Sequence, residues 1–112
     1  MDKLTKNKQD NLTLNDFIYI VNNVDNEIFV TITYSCENIQ MNIIMEDALI
    51  RQITDNEISI NNYKETEFFI SSDAINRIIE EGLDPIIDRI VYRIELINGI
   101  IIYVSYGGQI DV

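Results

Sequence analysis

The 112 residues contain no histidine and no tryptophan, one cysteine, one proline and four glycines. Each scarcity excludes something. Without histidine there is no imidazole base, proton shuttle or imidazole metal ligand. Cys36 alone cannot close an internal disulfide or build a thiolate metal cluster. With Glu37 beside it and no histidine to deprotonate it, Cys36 is a poor nucleophile. The glycines at 82, 99, 107 and 108 are scattered and form no phosphate-cradling loop. Basic residues are also few: 8 Lys and Arg stand against 19 Asp and Glu, for a net charge of −11. That balance argues against direct binding to nucleic acid, whose backbone is itself a dense line of negative charge, and against docking on an anionic membrane. No uninterrupted apolar run exceeds five residues, as at Ile100–Val104, whereas a membrane helix needs ~20. No apolar segment of signal-peptide type follows Met1-Asp2-Lys3. The expectation is a cytoplasmic, non-enzymatic protein with Cys36 reduced, no cofactor and no metal.

Hydrophobic residues make up 46% of the chain, which is enough for one core at this length and too much for a disordered tail. Residues 1–10 are polar, hold three of the four lysines, and read as a flexible N-terminal arm. Residues 11–112 read as a single domain. Isoleucine (24) and asparagine (13) together fill a third of the chain. Their AT-rich codons suggest a low-GC genome, that of a bacterium or of a phage or mobile element living in one.

Periodicity predicts the elements. Thr13 followed by Asp16 is a capping-box variant, and Leu14, Phe17, Ile18, Val21 and Val24 recur at helical spacing, which predicts a helix over about 14–22. Ile28, Val30, Ile32 and Tyr34 share one face of a strand with Thr31, Thr33 and Ser35 on the other, and Ile39, Met41, Ile43 and Met45 resume the alternation with Gln40 and Asn42 opposite, giving a hairpin that turns at Cys36-Glu37-Asn38. Residues 46–53 suit either a short helix or a loop. Residues 57–61 and 65–71 read as short strands. Ser72 as cap, the stripe Ala74, Ile75, Ile78 and Ile79, an Asp73–Arg77 pair, and then Gly82 and Pro85 predict a second helix over 73–81. Asn98-Gly99 between Ile90–Ile97 and Ile100–Tyr106 predicts a two-residue type I′ hairpin. It would pair Ile97 with Ile100, Leu96 with Ile101, Ile94 with Tyr103 and Tyr92 with Ser105. The resulting fold class is α+β: a mostly antiparallel sheet of 4–6 strands with two helices packed on one face. In that register Ile100, Ile102, Val104 and Tyr106 form an outward apolar stripe, a possible interface for a second copy or a partner.

The sequence Asp-Asn-Glu-Ile occurs at Asp25–Ile28 and again at Asp55–Ile58; it lacks the further ligands of a calcium loop and reads as a turn entering a strand. Carboxylate pairs such as Glu80-Glu81 could in principle act on sugars, but there is no tryptophan and little room for a cleft. What remains is the charge pattern. From Gln9 to Ile50 there is no Lys or Arg, while Asp16, Asp25, Glu27, Glu37, Glu46 and Asp47 fall in that span. Asp55, Glu57, Glu65 and Glu67 follow. Alternate residues of a strand lie ~6.8 Å apart on one face, about twice the ~3.4 Å step between phosphates on one DNA strand. Asp55 with Glu57, and Glu65 with Glu67, could therefore present carboxylates at phosphate-like intervals. These ten acids are the candidate partner-binding residues.

In size, charge and composition, though not in matched motifs, the chain is similar to small acidic inhibitors carried by phages and mobile elements, such as anti-CRISPR proteins and DNA mimics. The resemblance implies binding to a basic protein partner, a nuclease or CRISPR effector, and blockage of its nucleic-acid groove. Two other readings fit the same features: an immunity protein that neutralises a cognate toxin nuclease, and a small structural or assembly protein that uses the apolar stripe.

Overall fold

The computed structural model describes residues 12–24, 27–62, 66–84 and 89–107. The arm expected at 1–10 lies outside them. Among the described residues there is one helix of more than a turn, α1 (Leu14–Asn22), and eight strands: β1 (Ile28–Cys36), β2 (Ile39–Met45), β3 (Leu49–Thr54), β4 (Glu57–Asn61), β5 (Glu67–Ser71), β6 (Ile75–Asp84), β7 (Arg89–Leu96) and β8 (Ile101–Gly107). They form two antiparallel sheets, one of five strands in the order β2-β1-β8-β7-β6 and one of three in the order β3-β4-β5. The expected sheet with two helices on one face is therefore replaced by a two-sheet β architecture with a single short helix.

Helix α1 starts where the sequence places it. The Thr13 hydroxyl accepts from the Asp16 N–H at 3.0 Å, satisfying one of the N–H groups that the first turn leaves open. Phe17, Ile18 and Val21 are buried. Thr13→Ala should cost about 0.5–2 kcal/mol, measured as a shift of the urea midpoint at constant slope; an unchanged midpoint would mean that the cap contributes nothing.

The helix expected over 73–81 is instead a 3-10 turn at Ser72–Ala74 followed by β6. Ser71 rather than Ser72 caps that turn, its hydroxyl accepting from the Asp73 N–H at 3.2 Å. Arg77 pairs with Glu95 across the sheet at 2.8 Å, not with Asp73. The helical appearance of the sequence has a cause in the strand itself. Register with β7 shifts between Ile75 and Arg77 and again between Glu80 and Gly82. Each bulge adds one residue to β6, and the first puts Ile75 and Ile78 opposite Leu96 and Ile94 on one face. The first bulge turns the spacing of two between these residues into one of three, which imitates a helix. Gly82 does take positive φ, 90°, but as part of the second bulge rather than of a helix end.

The β1–β2 hairpin is present with Tyr34 opposite Met41, Ile32 opposite Ile43 and Val30 opposite Met45. Residues 49–54 are strand β3 rather than helix or loop, and Thr54-Asp55-Asn56-Glu57 makes the turn into β4.

The last hairpin departs from its expected register by one residue. Glu95 faces Ile101, Ile94 faces Ile102, and Tyr92 faces Val104. The loop is the three-residue Ile97-Asn98-Gly99, with the Leu96 N–H donating to the Ile100 carbonyl at 2.9 Å and the Gly99 N–H donating to the Leu96 carbonyl at 3.1 Å. Gly99 alone takes positive φ, 97°, as in a three-residue hairpin loop; a type I′ turn needs positive φ at two positions. A slip of one exchanges the faces of a strand. Ile102 and Val104 are accordingly 1% and 0% exposed, and Ile100 and Tyr106 are half-buried against the same core. The stripe Ile100, Ile102, Val104 and Tyr106 is interior, not an exposed interface.

The core lies between the sheets. Val30, Met45, Ile94 and Val104 from the large sheet meet Ile50, Ile58 and Ile60 from the small one. Phe17 brings α1 onto the same face, edge-on to Tyr92 with ring centroids 5.7 Å apart. Burial, and then a hydrogen bond with Tyr106, push the Tyr92 phenol well above the usual tyrosine range, so it stays neutral as a core residue. No helix among the described residues is long and apolar enough to cross a membrane.

Candidate functional site

Charge divides by face. Alternation along β6 and β7 sends Arg77, Arg93 and Glu95 to the side of the large sheet away from the core. Arg77 Nε donates to Glu95 Oε1 at 2.8 Å, and Arg93 Nη1 lies 3.2 Å from Glu81 Oε2. Arg93 Nε is 3.1 Å from Glu95 Oε2, a charge contact that lacks hydrogen-bond alignment. The Arg77 hydrogen bond holds the Glu95 carboxyl below the usual carboxylate range. Arg89 is also engaged: its guanidinium lies 4.4 Å over the Phe29 ring and donates to the Ser105 hydroxyl and carbonyl at 3.0 and 3.1 Å. Three of the four arginines are thus occupied on or beside one sheet face. The fourth, Arg51, is exposed on β3.

The candidate acids lie elsewhere. Asp16, Glu27, Glu37, Glu46, Asp47, Asp55 and Glu67 are exposed and Glu57 is half-buried. Among the described residues, salt bridges from carboxylates involve only Glu81 and Glu95. Glu67 accepts from the buried Ser59 hydroxyl at 3.1 Å. Asp25 and Glu65 fall outside the described residues.

The fold sorts these acids into groups at the rims of the sheets rather than into one ladder. Glu46 and Asp47 sit in the link from β2 to β3, and Ala48 donates its N–H to the Ile28 carbonyl at 2.8 Å, which brings that link beside Glu27. Asp47 holds positive φ, 57°, a conformation that short polar side chains tolerate better than most. Asp55 and Glu57 lie at the β3–β4 turn, and the Ser72 N–H donates to the Asn56 carbonyl at 2.7 Å, which adds Asp73 to that rim. Glu37 occupies the β1–β2 turn. The phosphate-like spacing expected for Asp55 and Glu57 does not arise, because Asp55 is in the turn and only Glu57 is in the strand.

An open cleft that the sequence did not announce lies between the two sheets. Its volume is about 540 Å³, and it is lined mainly by apolar side chains, among them Tyr34, Met41, Ile43, Phe68, Phe69 and Leu96. Met41 and Phe69 remain 49% and 58% exposed, so the mouth itself is apolar. Ser71 and Ala74 also line it and flank the exposed Asp73, while Glu37 lies just beyond Tyr34 and Met41 at the hairpin tip. One signal was available in the chain. Phe68 and Phe69 are adjacent in a strand, so they point to opposite faces, and only one of the two can enter a one-sided core.

The arrangement offers apolar contact area with carboxylates around it that make no salt bridge among the described residues, and Cys36 is exposed at the end of β1. No protein-family model, no curated protein and no solved structure matches this chain.

Proposed function

We propose that this protein is a non-enzymatic acidic inhibitor that binds a basic nucleic-acid-handling protein, such as a nuclease or CRISPR effector, in its host's cytoplasm. The supporting observation is the separation of charge. Arg77, Arg89 and Arg93 are consumed by interactions on or beside one sheet face, while Glu27, Glu37, Glu46, Asp47 and Asp55 stay exposed and, among the described residues, make no salt bridge. A field of that kind steers a basic partner and selects against acidic ones more than it supplies raw affinity. The apolar cleft supplies the contact area that charge does not. The interior placement of Ile102 and Val104 removes the surface on which an assembly role rested.

The test uses a nuclease or CRISPR effector that co-purifies with the protein. The triple variant Glu27→Lys, Glu46→Lys, Asp55→Lys should weaken binding by about tenfold or more and leave the thermal midpoint unchanged, since none of the three is in an ion pair among the described residues. Affinity should fall as salt rises, because exposed charges are screened over ~8–10 Å near physiological ionic strength. Nucleic acid should compete with the protein for the partner. A ternary complex at full occupancy, or a partner that is not basic, defeats the reading.

A further inference from the structure

Sheet edges are hazards, and folded proteins blunt them with charge, proline, bulges, shortness or a covering segment. Three of the four edges here are blunted. Strand β6 carries two bulges and the charged Arg77, Glu80 and Glu81, and its Ile78 carbonyl accepts from the Leu12 N–H at 2.8 Å. Strand β3 has a register shift between Gln52 and Thr54 and carries Arg51. Strand β5 is five residues long and begins at Glu67.

Among the described residues, strand β2 has none of these devices. Its seven residues, Ile39–Met45, hold no charge and no proline, and they pair with β1 in unbroken register. Ile39 and Ile44 are 55% and 67% exposed. The pair flanking a two-residue turn, here Cys36 and Ile39, is of the hydrogen-bonded kind, and such pairs alternate along an antiparallel ladder. Gln40, Asn42 and Ile44 therefore direct their N–H and C=O groups away from β1, to the free edge. The cleft opens along this strand, with Met41 and Ile43 in its wall.

We propose that β2 is a strand-addition site for an extended segment of the partner, a run of alternating apolar residues bracketed by Lys or Arg. This rests on the proposed basic partner and identifies which part of it is held. The main-chain ladder would continue across β2, about 4.8 Å away, and every second side chain of the incoming strand would enter the cleft mouth between Met41 and Phe69. The charge at the two ends of β2 decides the occupant. Glu37 stands at one end and Glu46 with Asp47 at the other, all exposed. A second copy paired antiparallel about Asn42 would set its own Glu46 and Asp47 against Glu37 at both ends of the ladder, where like charges repel. A strand with basic ends meets attraction at both.

The test uses two synthetic peptides, KKVTVTVKK and EEVTVTVEE, and the whole protein. The lysine peptide should bind at least about tenfold tighter than the glutamate peptide, with amide NMR shifts concentrated at 39–45 and around the cleft. Asn42→Pro removes one outward N–H without touching the β1 ladder and is of a kind tolerated on an edge. It should lose peptide binding at an unchanged thermal midpoint. Gln40→Lys, which adds repulsion at the same edge, should do the same and serves if the proline variant unfolds. Equal affinity for both peptides, shifts centred elsewhere, or unchanged binding by both edge variants would overturn the proposal, and so would concentration-dependent dimerisation of the wild type that Asn42→Pro abolishes. The two readings fail separately. A basic partner that is lost on reversing the acids yet still held by Asn42→Pro and Gln40→Lys removes the strand-addition site alone. A partner that is lost with the edge variants but is insensitive to salt and to charge reversal removes the acidic-inhibitor reading.

Discussion

Ile102→Lys should abolish cooperative folding, whereas Ile101→Lys, one residue away, should be tolerated. Ile102 is 1% exposed and sits in register between Ile32 on β1 and Ile94 on β7, both buried. Removing a buried isoleucine side chain costs about 2–5 kcal/mol by itself. An ammonium group placed there finds no carboxylate among Ile32, Ile94 and the apolar side of β8, and an unpaired buried charge costs several kcal/mol more. A domain of this size has only ~5–15 kcal/mol of net stability. Ile101 faces the other side of the sheet, opposite Glu95, where a lysine can reach solvent and a carboxylate. Circular dichroism with urea titration of the two variants reads the register directly. If Ile101→Lys unfolds the protein and Ile102→Lys does not, the hairpin follows the two-residue turn and the one-residue slip described above is wrong.

Phe17→Ala should cost about 3–5 kcal/mol, the usual range for emptying a fully buried phenylalanine site. The ring is 0% exposed and meets Tyr92 edge-on at an interplanar angle of 74°. The effect should be cooperative with the helix, because α1 has only nine residues, and isolated helices shorter than ~12–15 residues are marginal in water. Without Phe17 the helix loses the contact that holds it on the sheet. Hydrogen exchange should therefore accelerate first at 14–22, ahead of β7 and β8. A loss below ~1 kcal/mol with exchange unchanged in α1 would show that Ile18 and Val21 suffice to dock it.

Several elements were legible in the chain because their information is local. Thr13 with the 3.6-residue spacing of Phe17, Ile18 and Val21 locates α1. Alternation in 28–34 and 39–45, broken only by Phe29 and Ile44, gives the first hairpin and the face of its apolar stripe. Ile58 with Ile60 marks β4. The acid excess and the base-free span from Gln9 to Ile50 are plain in the composition.

Tertiary structure decided what depended on pairing. The two bulges in β6 make sense only against β7, and without β7 the spacing of Ile75 and Ile78 is helical. Asn98-Gly99 is compatible with a two-residue or a three-residue loop, and the burial of Ile102 and Val104 in one core with Ile58 and Ile60 selects the latter, since the two-residue register would pair them with Glu95 and Arg93 on the outer face. The separation of arginines from carboxylates, the cleft beside Met41 and Phe69, and the bare edge of β2 are properties of which strands become neighbours. Residue types determine what each strand can bury. The order of strands determines which of them is left at a sheet edge.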